Sequence, residues 1–230
     1  MEWAEEKKEL DWREIKEKLL GEVLPNHMKY WWYCLGGIPA LLFLTLVVTG
    51  IMLAFYYVPH PDKAFESVAN ITNNVRFGWW IRGIHRWSAE LMVVTVSLHA
   101  IRVFVTNAYS SPRELCWVTG AVLLLLTLFT AFSGYSLVYS QQSYWAVVVG
   151  SGLAAKVPVV GDLIARFMLG GPTYGPNTLN RLYILHAALM PTILFLFIFI
   201  HIFLIRIHGV TEHLAGIQAE IIRGLSRDEE

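Results

Sequence analysis

Four histidines carry the chemistry this chain can do. His85 and His99 lie 14 residues apart in one apolar stretch, and His186 and His201 lie 15 apart in another. At about 100° and 1.5 Å per residue, either step returns to nearly the same helix face roughly 21 to 22 Å further along. Each helix thus offers two imidazoles on one stripe. An imidazole in hydrocarbon is costly without a partner, so two pairs at two matching depths point to two metal centres stacked across a membrane. Two bis-histidine haems satisfy that donor set. A lone intramembrane His more often bonds a neighbouring helix, but two matched pairs on two helices are much harder to reach by accident.

Positioning these side chains requires membrane-spanning helices, and the composition supplies them: 55% of residues are hydrophobic and 13% aromatic. Residues 30–61, 115–155 and 182–205 contain no Asp, Glu, Lys or Arg, and each run exceeds the roughly 20 residues a helix needs to cross a bilayer. A further span carries Arg82, Arg86 and Glu90 near its start and then runs apolar past His99. Four spans are expected, at about 32–57, 79–104, 115–138 and 183–206. The fold class is therefore an all-α membrane protein, a four-helix haem-binding bundle with lipid as its solvent. With 230 residues the expectation is one such domain and no separate catalytic domain. Formal net charge is zero, and no Walker, Rossmann or zinc-finger spacing occurs, so no nucleic-acid partner is expected and the electron carriers must be cofactors.

Residues 1–29 mix Glu and Lys with Trp3, Trp12, Ile15, Leu19 and Leu20. They lack the apolar core of a cleaved signal and read as an amphipathic helix on the membrane surface. Residues 139–182 contain Pro158, Gly161, Gly170, Gly171, Pro172, Gly175 and Pro176, which predicts short surface helices separated by turns. Residues 211–230 form a polar tail with a short apolar pattern at Leu214, Ile217, Ile221 and Leu225.

An even number of spans puts both termini on one side. Eleven Lys and Arg fall on that side and seven on the other, so the positive-inside rule places the termini on the cytoplasmic, negative side. Spans two and four then run in the same direction. His85 is expected to share a metal with His186 near the positive side, and His99 with His201 near the negative side. Centres about 21 Å apart would carry an electron over most of the roughly 30 Å of hydrocarbon. Gly36 and Gly50 in the first span, and Gly120 and Gly134 in the third, repeat the 14-residue step. A planar macrocycle edge-on to a helix needs such positions without a side chain, whereas glycine taken alone could equally serve ordinary helix packing.

The segments WWYCLGGIPALLFLTLVVTG from Trp31, FGWWIRGIHRWSAE from Phe77, SPRELCWVTG from Ser111, SGYSL from Ser133, VPVVGDL from Val157 and TLNRLYILHAALMP from Thr178 closely resemble the short, four-helix cytochrome b of chloroplast-type and bacterial bf complexes, often called cytochrome b-six. The resemblance covers about residues 30–210. It implies two b-type haems in a subunit of a quinol oxidoreductase. The implied partners are a Rieske iron-sulfur protein, a cytochrome c-type subunit and a separate three-helix subunit, in a homodimeric complex. In such a complex, quinol oxidation near the positive side sends one electron to the Rieske centre. The other passes through both b haems to a quinone on the negative side, with proton translocation. A bacterial cytoplasmic membrane or a thylakoid-type membrane is the implied location.

Residue by residue, the resemblance implies that Arg82 and Arg86 pair with propionates of the positive-side haem. Arg113 and Arg206 are the analogous candidates on the negative side, Arg206 also for a quinone. Cys34, in its YCLGG setting, is implied to bond an extra haem covalently through one thioether, against the negative-side b haem; Cys116 reads as structural. Three features depart from the family. After Gly134-Tyr135-Ser136-Leu137 the family continues Pro-Trp-Asp-Gln beside the quinol oxidation pocket, where this chain has Val138-Tyr139-Ser140-Gln141. Glu90 stands where a small or apolar residue is usual; a proton acceptor near the positive-side haem is one reading of it, and an i, i+4 pair with Arg86 is the simpler one. The tail beyond the fourth span is additional. A diheme, quinone-reactive anchor of a dehydrogenase would share the paired histidines but would not need Cys34, and a haem-free scaffold would leave four buried imidazoles unexplained.

Overall fold

A computed structural model describes residues 35–209; the surface helix expected over 1–29, the tail over 211–230 and Cys34 lie outside the described residues. Eight α-helices are seen within that range: α1 (Gly37–Ala54), α2 (Ala64–Asn73), α3 (Gly78–Val105), α4 (Glu114–Ser136), α5 (Gln141–Ala154), α6 (Gly161–Leu169), α7 (Pro176–Ile184) and α8 (Met190–His208). A π-helical turn, Leu185–Leu189, joins α7 to α8. Four segments are long and apolar enough to cross a membrane: α1, α3, α4 and the continuous run Pro176–His208. The last of these starts about two turns before the expected 183, because Pro176 opens α7 and no break follows it.

The spans pack in two strong pairs, α1 on α3 and α4 on α8, with α3 against α4 joining them. Large apolar side chains such as Leu41, Phe55, Val105, Leu125 and Phe195 point outward, which suits a chain whose solvent is hydrocarbon. Buried positions within the spans include small or hydroxyl residues: Thr49, Ser88, Thr127, Ser133 and Ser136. Their hydroxyls return to carbonyls of their own helix where the geometry is given, as in Thr127 to Leu123 at 2.8 Å and Ser136 to Phe132 at 2.7 Å. A hydroxyl in lipid has to find such an acceptor.

The segment expected as short surface helices is α5, α6 and the start of α7. Ser140 caps α5, accepting from the Ser143 amide at 3.3 Å. At the other end of the segment, the Arg181 guanidinium donates to the Phe167 carbonyl at 2.8 Å, and the Thr178 hydroxyl donates to the Leu169 carbonyl. Thr178, Leu179 and Leu182 are fully buried, so this end of the loop is packed onto the bundle.

Between α2 and α3 the chain turns through Phe77, in the left-handed region at φ 59°, and enters α3 at Gly78. A Cβ at Gly78 would overlap the Ile71 carbonyl oxygen, so only glycine lets α2 close onto the start of α3. Gly83, one turn on, faces open space. Gly78→Ala should therefore destabilise the detergent-solubilised protein by about 2 kcal/mol or more, whereas Gly83→Ala should be neutral or stabilise it by up to about 1 kcal/mol. Thermal unfolding of the two variants checks the contrast.

Candidate functional site

The four histidines meet in two pairs. The rings of His85 on α3 and His186 in the π turn have centroids 6.2 Å apart, inclined at 77°. At the other level His99 has His201 and Arg102 as its charge-bearing neighbours. Each ring also lies against one glycine of the adjacent span. The imidazole Cε1 of His85 is 3.2 Å from where a Gly50 Cβ would stand, that of His99 is 3.1 Å from Gly36, and that of His201 is 3.2 Å from Gly120; His186 lies closer still to Gly134. The 14-residue glycine step thus matches the histidines one for one. What comes up against each glycine is an imidazole from the neighbouring helix, a more direct reason for glycine than the macrocycle edge expected from sequence.

Glycine also opens the way to a hydrogen-bond acceptor. The His85 Nδ1 lies 2.8 Å from the Thr49 hydroxyl, and the His201 Nδ1 lies 2.9 Å from the Thr119 hydroxyl. Each of these hydroxyls has one proton, and each has carbonyls of its own helix to give it to: Thr49 to Thr45 at 2.7 Å, Thr119 to Leu115 at 2.9 Å. They therefore accept from the ring, which places the imidazole proton on Nδ1. His186 reaches the same state differently. Its Nδ1 is 3.0 Å from the Thr130 carbonyl, which can only accept, and 3.3 Å from the Ser133 hydroxyl. In all three rings Nε2 is left with its lone pair, because Nδ1 holds the proton.

The His85 and His186 pair is shaped for a metal between the rings. A ring nitrogen lies about 1.1 Å from its centroid, so with one nitrogen of each ring turned toward the other, 6.2 Å between centroids would leave about 4 Å between them, twice a metal–imidazole bond of about 2 Å. Among the described residues no group of three or more His, Cys, Asp or Glu converges. A metal held by two imidazoles must therefore bring its remaining ligands with it, as a porphyrin iron does. The residues present fit a haem at this level.

The step of 15 between His186 and His201 is explained by the π turn. In a regular helix, 14 residues end about 40° short of the starting azimuth and 15 about 60° beyond it, so the second rings of the two pairs would aim about 100° apart. The π turn takes up one extra residue, the Met190 amide bonding to the Leu185 carbonyl, so 15 residues here do the work of 14 on α3. Pro191 supplies the cause: it has no amide proton to give and its ring crowds the carbonyl four residues back.

The arginines expected at haem propionates sit as follows. Arg82 is half-buried, its guanidinium 3.4 Å from the Thr72 hydroxyl on α2. Arg86 is exposed and paired with Glu90 at 3.0 Å, the simple role foreseen for Glu90. The Arg113 Nε donates to the Ala108 carbonyl at 3.1 Å in the turn before α4, and Arg206 is exposed near the end of α8. Arg102, not singled out from sequence, is buried one turn beyond His99. The missed hydroxyls had a visible signal, since three of the four glycines are preceded by Ser or Thr.

Near the His85 and His186 level, the departing segment brings together a group of tyrosines. Tyr139, in the left-handed region at φ 52°, stacks on Tyr174 at 5.9 Å, and Tyr174 meets Tyr144 at 4.7 Å. Tyr57 packs on Tyr183 at 5.5 Å and donates to the Leu137 carbonyl at 2.8 Å. Burial and neighbouring phenols raise the Tyr57 and Tyr174 hydroxyls above the usual phenol range, so both remain neutral donors. Ser140 stands where the resembling family has Asp; both are good N-caps, so the entry into α5 keeps its cap.

A family profile described as Cytochrome b/b6/petB matches residues 19–209. Cytochrome b6 of Heliobacterium modesticaldum is 43% identical over 212 residues, covering 92% of this chain and 99% of that protein. Cytochrome b6 of Heliomicrobium gestii is 46% identical over 189 residues, covering 82% and 89%; that of a Cyanothece species is 42% identical over 210 residues, covering 91% and 93%. A chain of a hyperthermophilic respiratory Complex III superposes with a TM-score of 0.77 at 31% identity over 91% of this chain; the chain spans 55% of the length of that neighbour.

Deleting Ala188 should close the π turn into regular helix and leave His201 on the stripe, retaining haem. Deleting Leu196 should turn His201 by about 100° and lose one b-type signal. Reduced-minus-oxidised spectra of the purified variants check both outcomes.

Proposed function

We infer a function from family and site together: the chain belongs to the cytochrome b family, and its work is to carry electrons through a membrane as the b subunit of a bc- or bf-type quinol oxidoreductase. It binds two b-type haems, one between His85 and His186 and one between His99 and His201. The observation that carries this reading is the anchoring of imidazoles by their Nδ1 on a neighbouring span, which leaves Nε2 of His85, His186 and His201 available to a metal. Iron porphyrin supplies one-electron chemistry there. The chain's own part is to hold the rings, exclude water and set the separation of the two levels, roughly 21 Å by helix rise along α3.

Quinol oxidation is assigned to the side of the His85 and His186 level, and quinone reduction to the side of His99 and His201, with both termini on the negative side as the Lys and Arg distribution indicates. The tyrosine group beside Tyr139 supplies neutral hydroxyls where the family has Pro-Trp-Asp. Cys34 holds a third, covalent haem beside the His99 and His201 level, and Arg206 faces that haem or a quinone. Arg82 and Arg86 move to haem carboxylates, Arg86 giving up its exposed contact with Glu90. The partners are a Rieske iron-sulfur protein, a three-helix subunit and a cytochrome c-type subunit, in a homodimer. The matches to cytochrome b6 proteins and to a Complex III chain support this assignment.

Pyridine haemochrome analysis of the purified protein should give two extractable b haems and one unextractable haem per chain. His85→Ala and His99→Ala should each remove one b haem, and a wild-type protein without extractable haem would overturn the reading. On a denaturing gel stained for haem peroxidase activity, the 26.2 kDa band should stain in the wild type and not in Cys34→Ala. A stained Cys34→Ala band would remove the covalent haem while leaving the two b haems in place.

A further inference from the structure

The hydroxyls that precede the glycines do more than fill space. Along α1 and α4 the dipeptides Thr49-Gly50, Thr119-Gly120 and Ser133-Gly134 each bring a hydroxyl to the imidazole that lies over the glycine. The fourth glycine, Gly36, is preceded by Leu35, which has no hydroxyl. The four sites are therefore unequal in a way that helix packing alone does not require, since valine fills nearly the same volume as threonine.

We propose that Thr49 and Thr119 are positioning residues for the haem ligands, fixing the ring tautomer and setting the electron-donating strength of His85 and His201. The inference rests on the haem reading above. At each site the Nδ1 proton is given to a hydroxyl that in turn gives its own proton to a carbonyl one turn back: His85 to Thr49 to Thr45, and His201 to Thr119 to Leu115. Such a chain polarises in one direction. It draws the Nδ1 proton outward, increases negative charge at Nε2 and favours the ferric state of a bound iron. Removing the hydroxyl weakens that donation and should raise the potential of the haem concerned.

Ser133 differs in degree. A backbone carbonyl also lies near the other two rings, Leu46 at His85 and Cys116 at His201, but there the hydroxyl is at hydrogen-bond distance, 2.8 and 2.9 Å. The His186 Nδ1, by contrast, is closer to the Thr130 carbonyl than to the Ser133 hydroxyl, at 3.0 against 3.3 Å. The carbonyl keeps the proton whether or not the hydroxyl is present. Ser133 is therefore a built-in control: it holds the same position before the glycine, but the carbonyl is the nearer acceptor of the ring proton.

The test is redox titration of the purified wild type and variants, following the two b haems by their optical spectra and their ferric low-spin EPR signals. Thr49→Val should change the ferric-to-ferrous ratio of one b haem about threefold at fixed ambient potential, an upward shift of about 30 mV for a one-electron couple, with its EPR signal displaced. Thr119→Val should do the same to the other haem only. Thr49→Ser should restore the wild-type potential, and Ser133→Ala should leave both haems unmoved. Two b haems bound in Thr49→Val and Thr119→Val with both potentials unchanged would overturn the proposal and leave the haem reading intact, whereas no b haem in the wild type would sink the reading beneath it. Because the threonines act at different haems on different helices, a variant at one that does not assemble leaves the other to decide.

Discussion

A ring proton in hydrocarbon needs an acceptor, and in this bundle the acceptor lies on another helix. His85 finds it on α1, and His186 and His201 find it on α4. An imidazole can reach a neighbouring helix this closely only where that helix carries no side chain, so the site requires glycine opposite each ring. This pairs α1 with α3 and α4 with α8, the two strongest packings among the spans. The outward-facing Leu, Phe and Val side chains contribute little to this choice, because lipid satisfies them as well as protein does.

Holding two rings on one helix face imposes a second constraint, on helix geometry. α3 meets it with 14 regular residues. The segment carrying His186 and His201 has 15 and a proline, and the π turn reconciles the two by widening where Pro191 has removed a hydrogen bond. The irregular turn contains His186 itself, so the strain of the proline is spent at the position where it corrects the register.

Much of the site was legible in the chain. Apolar runs without charge marked the spans, and the histidine and glycine steps marked two levels. The common direction of spans two and four pointed to which histidine faces which. Other features depended on contacts that no periodicity encodes. The Thr49 and Thr119 hydroxyls are visible as letters, but their role appears only once a ring from another span lies beside them. Arg82 reads as part of an arginine pair beside His85, yet its guanidinium lies against Thr72 on α2, a helix that the sequence reading did not foresee between the first two spans. Arg102, one turn beyond His99 near the end of α3, is only 7% exposed, a burial that its place in the sequence does not announce. The tyrosines come from four separate segments and could be recognised as a group only after the chain had folded.

By itself, the sequence determined that this protein lives in a membrane as four helices and that two helices carry paired imidazoles at two depths, because hydrophobic run length and residue spacing are properties of a single helix. The tertiary structure alone decided which glycine receives which ring, which nitrogen keeps the proton, and how 15 residues are made equivalent to 14. Those outcomes depend on hydrogen bonds and close approaches between helices, and on a local change of helical pitch, none of which is a property of one segment considered alone.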